Sequence, residues 1–575
     1  MKKSMVLLFV GTLSVSLFAV PARRGWQTRT QADGTTVEIQ LIGDEFCHYM
    51  INRDGKEVRE IDGMYEVVGD APSAQMVQAR RAKAQARRAP KIGNVANLAP
   101  RGIVILANFA DMQFNENHTQ AVFDELCNSN NCTVNTYNGV HYPSAADYFT
   151  TQSHGQYRPQ FDVFGPVTLS HNYKYYGEND SSGDDKNAAS AVAEACILAD
   201  QEYGGLDFAS YDSDNDGYVD FIYVIYAGKG EADGGNANTI WPHNWSIEAA
   251  IFNRMCDYTR AQCRLDGKHL DNYAMSAELA GWAGTMLTGI GTLCHEFGHV
   301  MGLPDFYDTE YKTNYTKQLT PNEWDIMDAG SYNGNGHCPP NYSPWEKYFF
   351  GWHQPVNLGT TDARLKLEAN GTEGYQAYQL NETGILQSAT KKGINYYFEN
   401  RQQQGWDEFV PATGLLIWKV NYDPSSWESN TPNNTANKPN YTVVCSSGTK
   451  IGSGYGSTNV FPYDDITSWN DMPGKPLTDI TRDGDYIRLI HIAEPQYYSV
   501  KWMVNGELLE TARYNLDGSE NLRMPSIGVT TCEGTELVGW TQTINWFDPF
   551  TLPDDLFTTP SGKVTDDVTY HAVFK

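Results

Sequence analysis

The chain has 575 residues, 41% of them hydrophobic and 13% aromatic, with 51 glycines and a formal net charge of −28. This length exceeds one ordinary domain, and the composition argues against disorder or coiled coil and for a turn-rich, β-rich globular chain. The acidic balance argues against a nucleic-acid partner, because phosphate binding needs a basic surface.

The N-terminus reads MKKSMVLLFVGTLSVSLFAVPARRG, with Lys2 and Lys3 ahead of an apolar run from Met5 to Phe18. Residues 1–22 are expected to be a signal peptide, with Ala19 or Ala22 closing the cleavage site. The run is short for a membrane span and no later segment is longer, which predicts an exported, soluble protein without a transmembrane segment, secreted, periplasmic or held at the cell surface. Ten cysteines suit export without forming a dense disulfide scaffold. Cys127 with Cys132, and Cys256 with Cys263, are near enough to close small loops, though spacing alone settles neither pair.

From residue 23 to about 73, alternating apolar and polar residues with Asp-Gly turns predict hairpins. The following Ala-, Gln- and Arg-rich stretch predicts an exposed basic helix and linker, to residue 99. There Arg80-Arg81 and Arg87-Arg88 offer cleavage sites for activation, the plainer alternative being a solvated helix. RGIVILANFADMQF then opens a new domain spanning residues 100–357, in which strands and helices alternate. Residues 358–495 read as a β-sandwich-like accessory domain and residues 496–575 as a small C-terminal β domain.

Within the alternating region, YDSDNDGYVDF places Asp212, Asp214, Asp216 and Asp220 at the oxygen-ligand positions of an EF-hand-type loop, with Gly217 at its turn. Tyr223 stands where the bidentate glutamate belongs, so the expectation is a structural calcium in an incomplete loop, against a solvated Asx-rich turn.

TLCHEFGHVMGLPDFYD, residues 292–308, carries the chemistry. Helical residues four apart lie about 40° apart around the axis, so His295 and His299 can reach one cation. Glu296 then suits a general base acting on a metal-bound water, the HExxH arrangement of zinc peptidases. Gly302 and Pro304 should end the helix and turn the chain so that Asp305 supplies a third ligand, with Asp308 and Glu323 as alternatives. His243 reads as a structural histidine and Cys294 as a buried apolar residue.

The pattern HExxHxxGxxD followed by a methionine segment resembles the metzincin clan. HEFGHVMGLPDFYD with WDIMDAGSYNG resembles, more specifically, the immune-inhibitor-A-like zinc metalloproteases of peptidase family M6. RGIVILANFAD, SAADYFTTQSHGQY, DNDGYVDFIYVIYAGKGE and YFENRQQQGWDEFVPATGLLIWKVNY extend the likeness over about residues 35 to 490. The resemblance implies a multidomain chain: an α/β metzincin-like catalytic domain, an N-terminal β-rich prosegment over residues 23–99 and C-terminal all-β domains. It implies zinc on His295, His299 and Asp305, catalysis by Glu296, and Met327 packed beneath the metal. Where many metzincins carry a tyrosine two residues past that methionine this chain has Ala329, which leaves Tyr332 as the nearest candidate for hydrogen bonding to the transition state. It also implies a latent precursor, with Cys47 the soft candidate for blocking zinc and Asp44, Glu45 and His48 its rivals. Substrates would be proteins or peptides outside the cell, by analogy with relatives that attack host defence proteins and so contribute to virulence. The last domain resembles small repeats of bacterial surface proteins and is a possible surface or glycan contact. The competing function is a non-catalytic binding or adhesion protein on a metalloprotease fold.

Overall fold

Alternation between residues 27 and 70 builds an antiparallel sheet of five strands in chain order: β1 (Gln27–Thr30), β2 (Thr36–Asp44), β3 (Cys47–Asn52), β4 (Lys56–Ile61) and β5 (Met64–Asp70). One face carries Ile39, Leu41 and Val58, which are buried. The computed structural model describes residues 21–76, 101–309, 320–446, 457–491 and 497–575, apart from 24, 32, 45–46, 62–63, 74–75, 181–183, 360–361, 436–437, 516–518, 527, 530–534 and 544–551. The expected signal segment up to residue 20 and the arginine pairs of the linker lie outside the described residues, as do Glu45 and the side chain of Cys47. No helix among the described residues is long and apolar enough to cross a membrane.

A mixed sheet follows, in the order β9 (His243–Ser246), β10 (Asn272–Ala280), β8 (Ile222–Lys229), β6 (Arg101–Asn108) and β7 (Gln160–Thr168), with β11 (Met286–Leu287) on β10. The four long strands run parallel, while β9 and β11 are antiparallel to β10. Central parallel strands are covered on both faces, which is why β6 reads as an unbroken apolar run. Its side chains serve two cores in alternation. Ile103 and Ile105 face the core that includes helix α1 (Ala188–Glu202), and Val104 and Leu106 face the core that includes helix α2 (Gly291–Val300). Phe297 of α2 anchors that helix edge-on against Phe161 and Phe221, with ring centroids 5.3 and 5.0 Å apart.

The stretch expected to stand apart from residue 358 packs into the same core. Its antiparallel strands β12 (Tyr378–Asn381), β13 (Gly393–Arg401), β14 (Gly414–Tyr422) and β15 (Tyr441–Val443) bring Trp418 and Tyr441 into one cluster with Phe297, Phe306, Met327 and Trp345. A buried ionic network extends this contact. Arg401 donates to Glu399 at 2.8 Å, to Asp407 at 2.7 Å and to the Asn341 carbonyl at 2.9 Å. Among the described residues the chain divides into two compact units, one of Met1–Gly359, Arg364–Trp469 and Thr478–Ile490, the other of Thr360–Ala363, Asn470–Leu477 and His491–Lys575. The second unit carries a four-stranded sheet, in the order Glu507–Asn515, Tyr497–Val504, Val568–Phe574 and Leu537–Thr541, around Trp502, Trp540 and Tyr570. The protein is thus a sheet-rich, mixed fold with few helices.

Candidate metal centre

Helix α2 ends as its sequence demands. Gly302 adopts φ +103°, a conformation that favours glycine. The Leu303 N–H bonds the Gly298 carbonyl at 3.1 Å and the Gly302 N–H bonds the His299 carbonyl at 2.9 Å, which together make a Schellman cap. The reversal also presents the Leu303 carbonyl to His299 Nδ1 at 2.8 Å. His295 Nδ1 meets the Ile326 carbonyl at 2.6 Å. Each Nδ1 therefore carries its proton toward a backbone oxygen and each Nε2 turns toward the other and toward Asp305, the tautomer and orientation that a metal ligand needs.

Past the turn, Asp305 completes a fully buried group with the two histidines. The Nε2 atoms are 3.1 Å apart, and Asp305 Oδ1 lies 3.3 Å from His295 Nε2 and 3.5 Å from His299 Nε2. Tetrahedral zinc, with ligands at about 2.0–2.1 Å, sets ligand atoms about 3.3–3.4 Å apart, so the three edges fit one face of such a site. Burial pushes His299 down to about 4, which keeps its imidazole neutral and able to ligate. Burial would raise the Asp305 carboxyl, but the adjoining histidines hold it below the usual carboxylate range.

Glu296 is fully buried on α2 and stands outside this group of three. Asp308 and Glu323, the alternative ligands, are not in it either. Met327 lies under the helix against Gly298, where a Cβ would meet its Sδ at 2.7 Å and the Tyr342 hydroxyl at 3.3 Å. Asp325 shapes this turn by accepting the Met327 N–H at 2.8 Å and the Tyr441 hydroxyl at 2.9 Å. Burial raises the Asp325 carboxyl to about 7.

The N-terminal sheet meets the segments that follow these residues. Ile42 packs against Tyr307, and the Tyr332 hydroxyl donates to the Pro21 carbonyl at 2.7 Å. Arg23 pairs with Asp233 at 3.0 Å and also bonds Asn335. His48, one rival for a zinc-blocking role, is engaged elsewhere: its Nε2 lies 2.9 Å from Glu231 and its ring stacks on Trp241. Burial pushes His48 down, but Glu231, the Asp44 carbonyl and Asp185 outweigh it and raise it to about 9. Asp44 is buried and its carbonyl accepts from His48, while Cys47 pairs with Asp44 in the β2–β3 ladder.

The acidic loop is only partly as expected. Asp212, Asp214 and Asp216 converge, whereas Asp220 falls outside the group and accepts the Ser213 N–H at 2.9 Å. Lys268 Nζ sits 2.6 Å from Asp212, which also accepts the N–H groups of Asp216 and Gly217. With a lysine in place the loop forms a self-bonded turn, and no calcium is assigned to it. His243 is structural as expected, with one ring nitrogen on the Trp241 carbonyl and the other on Tyr273. Cys127 and Cys132, and Cys256 and Cys263, are free thiols, so neither small loop is closed by a disulfide.

Sequence reasoning missed the partner of Asp305. Asn430 lies 125 residues further on, in a loop after the short helix Pro424–Glu428, and bonds Asp305 through both ends of its amide. Its only signal was an Asn-rich loop, NTPNN.

Residues 103–356 match the family described as Immune inhibitor A peptidase M6, catalytic domain. The chain is 28% identical over 225 residues to Immune inhibitor A of Bacillus thuringiensis subsp. alesti, covering 35% of this chain and 31% of that protein. It is 26% identical over 308 residues to the pre-pro-metalloprotease PrtV of Vibrio cholerae serotype O1, covering 46% of this chain and 32% of that one. The chain thus spans about a third of the length of the curated relatives it matches. Over residues 103–356 the chain is thus similar to the catalytic domain of the immune-inhibitor-A-like metallopeptidases of family M6.

Proposed function

We propose that the protein is a secreted, zinc-dependent metalloendopeptidase with a metzincin-like catalytic domain, made as a latent precursor and acting on extracellular proteins or peptides. The observation that carries this reading is the buried triangle of His295, His299 and Asp305, whose edges of 3.1, 3.3 and 3.5 Å match zinc while both imidazoles are held in the ligating tautomer. Zinc held by His295, His299 and Asp305 would supply Lewis acidity toward a substrate carbonyl and a water. Glu296 would serve as the proton carrier, accepting a proton from the attacking water and passing it to the leaving amine, a role suited to a carboxylate beside the first of these histidines on the same helix. Met327 fills the space under the helix and Asp325 fixes the turn whose Ile326 carbonyl orients His295.

Latency follows from the N-terminal sheet, read here as the prosegment. It covers Tyr307, two residues past Asp305, and the Arg23 guanidinium at the start of the segment lies 5.5 Å from the centre of the Tyr332 ring. Its release would uncover Tyr332 for substrate. The reading is tested by zinc content: the full chain should bind one zinc, and His295→Ala, His299→Ala and Asp305→Ala should each abolish stoichiometric binding. Retention of zinc by all three variants would refute it.

A further inference from the structure

Asp305 is buried, anionic and placed by a turn that carries no side chain of its own to hold it. Its restraint comes from the accessory stretch. The Asp305 N–H donates to Asn430 Oδ1 at 2.7 Å, and Asn430 Nδ2 donates to Asp305 Oδ2 at 2.7 Å, closing a ring of two hydrogen bonds. That engages Oδ2 and leaves Oδ1 as the oxygen beside the histidines. The clamp is the first of a series. Asn433 Nδ2 donates to the Phe306 carbonyl at 2.7 Å, and Asn434 Oδ1 accepts the Thr309 N–H at 3.0 Å. Thr309 returns its hydroxyl to the Asn430 carbonyl at 3.1 Å. Tyr441 braces Asn433 through its backbone and stacks on Phe306 with centroids 3.7 Å apart. Three asparagines thus read the backbone of residues 305–309 much as a neighbouring strand would.

We propose that Asn430 is a positioning residue for the metal centre: it holds Asp305 as a one-oxygen ligand, so the centre is completed by a loop outside residues 103–356. This rests on the reading that His295, His299 and Asp305 bind zinc. Partners of metal ligands are typically worth about 10–100-fold in metal affinity. A carboxylate released from such a partner can swing both oxygens onto the metal and change its coordination number.

Asn430 has φ +54°, so the side chain is best removed by Asn430→Gly, which tolerates that backbone. Asn430→Asp is the near-isosteric companion: it keeps an acceptor for the Asp305 N–H but sets a second carboxylate oxygen against Oδ2. Both are made in the full chain, and zinc affinity is measured by chelator competition beside the visible absorption of the cobalt(II)-substituted proteins. Both variants should lose about 10–100-fold in zinc affinity. Asn430→Gly should also give weaker, shifted cobalt bands as the carboxylate turns two-oxygen. Wild-type zinc affinity with an unchanged cobalt spectrum in both variants overturns the proposal. So does a lower melting temperature with unchanged bands in the bound fraction, since that marks a purely structural residue. If wild type binds no zinc, or Asp305→Ala binds it equally well, the zinc reading itself falls and takes the clamp with it.

Discussion

Replacing Gly298 with alanine probes how tightly the helix is seated over the methionine. The added Cβ would stand 2.7 Å from Met327 Sδ and 3.3 Å from Met327 Cε. Contacts of this kind are favourable at about 3.5–4.0 Å, so helix and methionine must part by about 1 Å. Met327 is fully buried, which turns a side-chain rotation into an overpacking problem costing about 1–3 kcal/mol. Alanine returns about 1 kcal/mol through helix propensity, so the net loss of stability is about 0–2 kcal/mol. The larger effect falls on the metal. A shift of about 1 Å carries the Ile326 carbonyl from 2.6 Å to beyond bonding distance of His295 Nδ1. Zinc affinity should then drop about 10-fold or more, out of proportion to stability. Chelator competition beside thermal unfolding measures both, and shortening Met327 to alanine in the same chain should restore affinity. Unchanged zinc binding in Gly298→Ala, or no recovery in the double variant, would refute the reasoning.

Other consequences concern the N-terminal sheet and the accessory stretch. His48 is raised from 6.5 to about 9, so its contribution to docking is complete below about 6.5 and fades as pH climbs through about 9. After a nick in the linker, the N-terminal segment should dissociate more readily at pH 10 than at pH 7, and His48→Phe should flatten that difference; equal retention at both values would contradict the pairing. Arg401→Met leaves Glu399 and Asp407 buried without their cation and should cost about 3–5 kcal/mol in denaturant unfolding. A loss below about 1 kcal/mol would show that the network is not sustained by the arginine. Lys268→Met should destabilise the acidic loop by about 1–3 kcal/mol, since Asp212 is buried against that ammonium, and unfolding midpoints that match wild type would rule this out.

What was legible in the sequence is local. The spacing of His295 and His299, the glycine that ends their helix and the reach of Asp305 all lie within eleven residues, where helix geometry and cap chemistry decide the outcome. The buried character of β6 was legible too, because a strand covered on both faces needs an apolar run. Partners remote in sequence were not. Nothing around Asn430 distinguishes a clamp on a carboxylate from an ordinary polar loop, since the decisive partner is 125 positions away. Lys268 undid the full calcium expectation for the same reason: spacing in an acidic loop says nothing about a lysine delivered from another strand pair. The accessory stretch read as a separate sandwich because alternation reports a buried face but not what buries it. That face shares its aromatics with Phe306 and Trp345 beside the metal-binding segment.

The most direct test is hydrolysis of a mixed-peptide or casein substrate by the chain after removal of residues before 101, beside Glu296→Gln. Each protein is stripped with a chelator and then given zinc. Wild type should lose activity on stripping and regain it with zinc, while Glu296→Gln should bind zinc normally and remain inactive. Wild-type protein that stays inert when zinc-loaded, or a Glu296→Gln variant that cleaves at the wild-type rate, would contradict the account.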